Sequence, residues 1–179
     1  MKYILTNETI KVGEVILHRI ECVEAFADVK VGDKGGWIEK ESNLSQTDNA
    51  WVSGNAEVYG DAWIYDNAKV YGNAQVFGDA EVYGDAEVYG RARVYEQALV
   101  FGKAKVCGNA EVSGDAFVRG SARVCDYARV YDEAHVHGNA EVYGNAHVFG
   151  NADVYGNAHV FGNAEVCGDA MVYGSANLH

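Results

Sequence analysis

Residues 138–161 read GNAEVY GNAHVF GNADVY GNAHVF, which is four consecutive copies of one six-residue unit. The unit recurs 22 times between Asp48 and His179, without insertion or deletion. Its consensus is Gly, then Asn or Asp, then Ala, any residue, Val, and Tyr or Phe. Ala fills the third place of every unit, and Val fills the fifth place of all but two, which carry Ile64 and Leu178. A short unbroken period of this kind indicates a solenoid.

The spacing inside the unit predicts its local structure. Ala and Val are two residues apart, so on a strand both point to one face and the residue between them points to the other. Gly followed by Asn or Asp tolerates positive φ and turns the chain. Each unit is therefore predicted to form one short strand and one corner. Three units would close an 18-residue coil with neighbouring strands about 4.8 Å apart, and the repeat would give about seven coils.

The hexads resemble the hexapeptide-repeat family, in which the chain folds as an all-β, left-handed parallel β-helix with three hexads per coil. Residues 35–45, GGWIEKESNLS, are similar to the lead-in of small hexapeptide-repeat proteins of bacteria and phages, which are often labelled acyltransferases. The left hand and the acyltransferase activity are implications of this resemblance.

The first 47 residues lack the repeat. Three apolar or alternating runs, separated by Asn7-Glu8 and Gly13-Glu14, predict a small β-meander. We interpret residues 1–47 as an N-terminal cap that covers the first coil, and residues 48–179 as the solenoid. Residues 42–47 are interpreted as a degenerate unit with Leu44 in the Ala place.

Composition narrows the class of protein. The formal net charge is -12, which disfavours direct nucleic-acid binding and suits either solubility or a basic protein partner. The sequence has no apolar run of membrane-span length and no signal peptide, so we expect a cytoplasmic protein without a membrane partner. The four cysteines lack C-x-x-C spacing and are expected to be free thiols. Cys107 and Cys125 are expected to stack on one corner, one coil apart.

The outward fourth places fall on three faces of the predicted coil. Two faces carry mixed charges. The third face carries four large apolar residues, which we predict to form an interface: Trp63, Leu99, Phe117 and Met171. The sixth places predict corner columns of stacked Tyr and Phe rings. A carbohydrate- or base-stacking platform is the functional alternative for these columns.

Basic residues concentrate in the middle of the repeat. We define the basic band as Arg91, Arg93, Lys103, Lys105, Arg119, Arg123 and Arg129. Such a band on an acidic rod is either an anion-binding or partner-binding site, or a set of charges paired with neighbouring coils.

The sequence offers little enzyme chemistry. His135, His147 and His159 recur at every second hexad, which places them on different faces and argues against a metal site. Hexapeptide-repeat acyltransferases tend to carry a loop between hexads and a C-terminal helix, which this repeat lacks. If the chain were such an acyltransferase, acetyl coenzyme A would be its cofactor and His135 its general base.

The sequence therefore favours a rigid acidic β-solenoid that is not an enzyme and needs no cofactor. It is predicted to self-associate, as a trimer through a flat face or an end-to-end dimer, or to bind a partner protein, as a phage-type inhibitor or scaffold would. An acetyl coenzyme A-dependent acyltransferase is the first alternative, and a nucleic-acid mimic is the second. The end-to-end dimer is suggested by the last units, which stay in register up to His179.

Overall fold

The computed structural model describes residues 1–179 and contains an N-terminal meander followed by a stack of coils. The meander consists of β1 (Tyr3–Val12), β2 (Val15–Cys22) and β3 (Lys34–Ile38), which pair antiparallel in that order. A short 3₁₀ helix, Glu41–Asn43, follows β3. No helix of the chain is long and apolar enough to span a membrane.

Each hexad forms a two-residue strand from its fourth and fifth places. These strands are β4 (Trp51–Val52), β5 (Glu57–Val58), β6 (Trp63–Ile64), β7 (Lys69–Val70), β8 (Gln75–Val76), β9 (Glu81–Val82), β10 (Glu87–Val88), β11 (Arg93–Val94), β12 (Leu99–Val100), β13 (Lys105–Val106), β14 (Glu111–Val112), β15 (Phe117–Val118), β16 (Arg123–Val124), β17 (Arg129–Val130), β18 (His135–Val136), β19 (Glu141–Val142), β20 (His147–Val148), β21 (Asp153–Val154), β22 (His159–Val160), β23 (Glu165–Val166), β24 (Met171–Val172) and β25 (Asn177–Leu178).

The strands assemble into three parallel sheets that form the sides of the solenoid. Every third strand joins the same sheet, as in the series β6, β9, β12, β15, β18, β21 and β24. Paired residues occupy the same place of hexads one coil apart, for example Leu99 with Phe117 and Val100 with Val118. The predicted three-unit coil and the all-β parallel solenoid are thus confirmed.

Ala and Val of each hexad fill the interior. Nearly all of these side chains are fully buried, and they belong to one continuous apolar cluster that runs the length of the rod. The backbone hydrogen-bonds from coil to coil: the amides of Phe117 and Arg119 donate to the carbonyls of Ala134 and Val136. These bonds satisfy the backbone at the sides of the rod.

The corners bring backbones close together and therefore favour glycine. Gly114 has φ +66°, and a Cβ built on it would lie 2.8 Å from the backbone nitrogen and oxygen of Asp132 in the next coil. Glycine suits this position because it adopts positive φ at no steric cost, and most hexads carry it there. The exceptions with positive φ are Asp66, Glu96, Asp126 and Asp132.

The rod has about eight turns, one more than the hexads alone predict. The additional turn begins in β3, because Trp37 and Ile38 pair parallel with Glu57 and Val58. The meander and the solenoid therefore share one sheet, and the boundary at residue 47 stays a prediction.

The expected placement of Leu44 in the Ala position of a unit is wrong. Leu44 pairs with Ile64, which occupies a Val place, and its side chain is buried. The first turn is longer than the later ones: both of its pairings, Leu44 with Ile64 and Trp37 with Glu57, join residues that are further apart in the sequence than those of the hexad coils. The hexad register is reached at Trp51, which pairs with Lys69, so the additional residues lie between Leu44 and Trp51, after the 3₁₀ helix.

The prediction of two stacked free thiols at Cys107 and Cys125 is also wrong. Their Cα atoms are 4.6 Å apart, close to the expected coil spacing, and their sulfur atoms form a disulfide. This Cα distance lies within the range that a disulfide spans. Cys22 and Cys167 are free, the first buried and the second exposed.

Candidate functional site

The sixth places of the hexads form three corner ladders of stacked rings. In one ladder, Tyr59, Phe77 and Tyr95 stack with centroids 5.0 Å apart and planes nearly parallel. The same ladder continues further along the rod with Tyr131 and Phe149 at 5.0 Å. Each such pair is worth about 0.5–1.5 kcal/mol beyond the buried area. The ladders thus stiffen the corners, as the sequence predicted.

All three ladders stop in the same part of the rod. Four consecutive hexads carry a residue without a ring at the sixth place: Cys107, Ser113, Arg119 and Cys125. We call this set the ladder gap. Because three hexads complete a coil, these residues interrupt every corner within a little more than one turn. Ser53 and Cys167 also lack a ring at a sixth place, but each stands alone, so only the middle of the rod interrupts all three corners.

A hollow of about 290 Å³ opens at the Ser113 corner of the ladder gap. Tyr95 and Tyr131 stand on either side of it, one coil before and one coil after Ser113. Both rings keep the ladder orientation, because each is nearly parallel to its other neighbour in the ladder. The hollow therefore lies where one further ring of the ladder would stack.

The walls of this hollow are charged. Glu96, Asp132 and Glu111 line it together with Arg129 and His147. The carboxylates of Glu96 and Asp132 accept hydrogen bonds from the backbone amides of the next coil, at 2.6 and 3.1 Å. Both residues have φ near +60° although they are not glycine, a conformation that costs an L-residue about 1–2 kcal/mol. Burial and the nearby carboxylate of Asp132 raise the pKa of Tyr131 above its ordinary value.

A second hollow, of about 180 Å³, lies at the Cys125 corner. Arg123, Asp126 and Glu141 surround it, and Tyr143 closes one side. The two hollows lie on different corners of the same part of the rod, so the ladder gap reaches more than one face of the molecule.

The basic band overlaps the ladder gap and is only partly neutralised. Four of its members pair with glutamates of adjacent coils at 3.1–3.8 Å: Arg93, Lys105, Arg123 and Arg129. The remaining three form no ion pair: Arg91, Lys103 and Arg119. Charge pairing between coils therefore accounts for part of the band, and three cations stay available on the surface.

The four predicted interface residues lie on one sheet, but they do not form one patch. Leu99 and Phe117 are direct neighbours, and the Phe117 ring meets His135 edge-on at 4.8 Å. Glu81 separates Trp63 from Leu99. Asp153 lies between His135 and Met171. The continuous apolar strip is thus short and lies at the level of the ladder gap.

The three histidines that the sequence singled out lie on three different sheets, in β18, β20 and β22, as their spacing predicts. The structure instead brings His137 Nε2 to 3.0 Å from Asp153 Oδ1. That contact does not have hydrogen-bond geometry, so Asp153 Oδ1 is buried without a hydrogen-bond partner. Asp153 is also the strand neighbour of His135.

Sequence reasoning missed the residues that form the Ser113 hollow. The sequence does contain an indication of this hollow, which is the run of four sixth places without a ring. The run indicates a gap at every corner only when three hexads are known to complete a coil. Comparison of the sequence with protein-family models and with curated proteins finds no match.

Proposed function

We propose that this chain is a rigid acidic rod, not an enzyme, that binds protein through its middle coils. The observation that carries the proposal is the ladder gap, in which all three corner ladders stop within about one turn. A rod selected for stiffness alone gains from a ring at every sixth place, because each stacked pair adds stability. The loss of the rings at one level is most simply explained by contact with another molecule there.

The surroundings of the ladder gap support a protein partner. Leu99 and Phe117 are adjacent on one sheet at this level, and aromatic side chains such as that of Phe117 are enriched at protein interfaces. Arg91, Lys103 and Arg119 add cations without partners in the chain, whereas the rest of the surface is acidic. An interface with an apolar centre and a charged rim has this composition.

The partner is either a second copy or a different protein. Trimers through the face of Leu99 and Phe117 are one form of self-association. End-to-end dimers are the other. We place the protein in the cytoplasm and relate it to the hexapeptide-repeat family, with a left-handed coil, on the strength of the sequence pattern.

The test compares three forms of the chain. The first is the unaltered protein. The second fills the ladder gap with Cys107→Tyr, Ser113→Tyr, Arg119→Tyr and Cys125→Tyr, which extends a pattern that the fold already accepts. The third is the matched control. It combines Cys167→Tyr with Cys107→Ser and Cys125→Ser, so it adds a ring outside the ladder gap and also lacks the Cys107–Cys125 disulfide. Thermal melts establish that each form is folded.

Sedimentation velocity and affinity capture from bacterial lysate are then measured for all three forms. We expect an oligomer or a stoichiometric captured protein with the unaltered chain and the control, and loss of that species with the filled variant. Phe117→Glu should weaken the same association. Equal behaviour of all forms would contradict the proposal.

The acyltransferase alternative has one supporting observation, which is the placement of His135 beside Asp153 on an outer face. A carboxylate next to an imidazole is the usual arrangement for a general base. Calorimetry with millimolar acetyl coenzyme A tests it directly. Saturable heat that disappears in His135→Ala would favour the enzyme, and the absence of heat is expected from a binding rod.

A further inference from the structure

The space between Tyr95 and Tyr131 in the Ser113 hollow has the thickness of a single aromatic ring. Successive rings of this ladder are 5.0 Å apart, and Tyr95 and Tyr131 are separated by two coils. Two coil steps of about 4.8 Å leave room between them for one further ring at the ladder spacing. Ser113 at the base of the hollow is buried and supplies no ring of its own.

The ladder also shows where a hydroxyl on that ring would lie. The phenol of Tyr65 donates to Glu81 at 2.9 Å, Tyr71 donates to Glu87 at 2.7 Å, and Tyr95 is 3.5 Å from Glu111. In every case the acceptor is the fourth-place residue of the hexad one coil further along the chain. Residue 129 stands in that relation to position 113, and Arg129 lines the hollow, so a phenol stacked there lies within reach of its guanidinium.

Arg129 and Glu111 together suit a phenol better than an unsubstituted ring. The Arg129 side chain is 54 % exposed, and its Nε lies 3.8 Å from Glu111 Oε2, beyond hydrogen-bond distance. A phenol oxygen can accept a hydrogen bond from the guanidinium while its proton is donated to the carboxylate. Phenylalanine could fill the space but would leave both groups without this bridge.

The acidic rim excludes one class of ring-bearing ligand. Glu96, Glu111 and Asp132 line the hollow against a single arginine. A nucleobase would bring its phosphate towards these carboxylates, and the net charge of the chain adds further repulsion. A peptide with Lys or Arg beside its ring would be attracted instead.

We propose that the Ser113 hollow is a binding site for a tyrosine side chain, presented by a basic segment of another protein. The ring stacks between Tyr95 and Tyr131 and completes the interrupted ladder. Its hydroxyl bridges Arg129 and Glu111. This inference rests on the proposed function, because it supplies the chemistry by which the middle of the rod recognises its partner.

The test uses capped tripeptides as probes and NMR titration as the readout. Lys-Tyr-Lys is compared with Lys-Phe-Lys, which lacks the hydroxyl, with Lys-Leu-Lys, which lacks the ring, and with Glu-Tyr-Glu, which reverses the charge. A short oligothymidylate serves as the nucleic-acid probe. Each is added to the unaltered chain, to Ser113→Tyr and to the control Cys167→Tyr.

We expect Lys-Tyr-Lys to shift signals around Ser113 and to bind at least about tenfold more tightly than Lys-Leu-Lys, the factor that loss of ring stacking implies. Lys-Phe-Lys should bind with intermediate strength and Glu-Tyr-Glu more weakly. Ser113→Tyr should abolish the Lys-Tyr-Lys shifts because its own ring fills the hollow, and Cys167→Tyr should keep them. Tyr131→Leu, which removes one stacking surface, provides an independent test should Ser113→Tyr be misfolded, and it too should lose binding.

Equal affinities for Lys-Tyr-Lys and Lys-Leu-Lys would overturn the inference, as would undiminished binding to Ser113→Tyr. Preferential binding of the oligothymidylate would assign the hollow to nucleic acid instead. Failure of the inference differs from failure of the proposed function. If Ser113→Tyr alone leaves partner capture intact while the fully filled ladder gap removes it, the middle of the rod still binds protein by another contact.

Discussion

The Nζ atom of Lys2 lies 3.4 Å from Oδ1 of Asp48 and donates a hydrogen bond of 2.7 Å to the carbonyl of Ala50. The lysine side chain is 5 % exposed, and burial lowers its pKa although the Asp48 carboxylate opposes this change. The contact joins the start of the meander to the first hexad. It fastens the cap to the rod at a point where the first coil would otherwise expose its backbone.

Replacement of Lys2 by Met keeps the volume and removes the charge. We expect a loss of about 2 kcal/mol in the free energy of unfolding, because Asp48 and the Ala50 carbonyl lose a charged donor. Urea denaturation measures the change. Lys11→Met, which removes an exposed pair with Glu14, is the control and should have little effect. Equal stabilities of the two variants would contradict the assigned role of Lys2.

The corner glycines provide a test of coil-to-coil packing. Gly114→Ala and Gly168→Ala both place a side chain at positive φ, but only the first would place its Cβ against the backbone of the next coil. We expect Gly168→Ala to cost about 1 kcal/mol from the backbone conformation alone. Gly114→Ala should cost about 1–3 kcal/mol more, as overpacking does. A smaller cost at Gly114, measured by urea denaturation, would contradict the close stacking at this corner.

The fold was predictable because its rule is local and repeated. Ala and Val two residues apart, with Gly at the corner, specify the strand, the turn and the buried face in every unit. The first turn was predictable only in part, since its longer register depends on the segment around Leu44 and follows no repeat. The pairing of Leu44 with Ile64, which occupies a Val place, could not be predicted, because residues 42–47 do not follow the consensus of the repeat.

The candidate site was harder to predict from the sequence. The sequence shows that four consecutive sixth places lack a ring. That these places interrupt all three corners depends on which corners they occupy in three dimensions. The disulfide was missed for a similar reason, because coil spacing gave the Cα distance and left the side-chain orientation open. The partial neutralisation of the basic band depends on rotamers that a pattern does not specify.

The Cys107–Cys125 disulfide closes a loop with a sequence separation of 18 residues. Under oxidising conditions, the double variant Cys107→Ser with Cys125→Ser should lose about 3 kcal/mol of stability, because the cross-link restricts the unfolded chain. Under reducing conditions the variant and the parent should be alike. Cys167→Ser, which removes a free thiol, is the control. Thiol titration that finds four free cysteines in the folded, air-exposed protein would contradict the bond.

The tyrosine ladders predict a loss of stability in alkali. Burial, reinforced by hydrogen bonds to Glu81 and Glu87, raises the pKa of Tyr65 and Tyr71 well above the ordinary value. A raised folded-state pKa means that the neutral phenols stabilise the fold fully below the unfolded-state pKa, and that this contribution disappears as pH rises through the folded-state pKa. Stability should therefore fall above about pH 10. The fall should be less steep in the double variant Tyr65→Phe with Tyr71→Phe. Urea denaturation at each pH measures the free energy of unfolding. An equally steep fall with pH in the variant and the parent would count against the assigned pKa shifts.

Photo-crosslinking along one column of the rod tests the central claim most directly. A photoreactive phenylalanine analogue is placed at Asp115, beside the ladder gap, and separately at Asp61 and Asn151 in the same exposed column. After irradiation in bacterial cells, we predict a protein adduct, with a second copy or another chain, that is most abundant from position 115. Adducts of equal yield at all three positions, or none at position 115, would contradict the claim that the middle of the rod is where this protein binds.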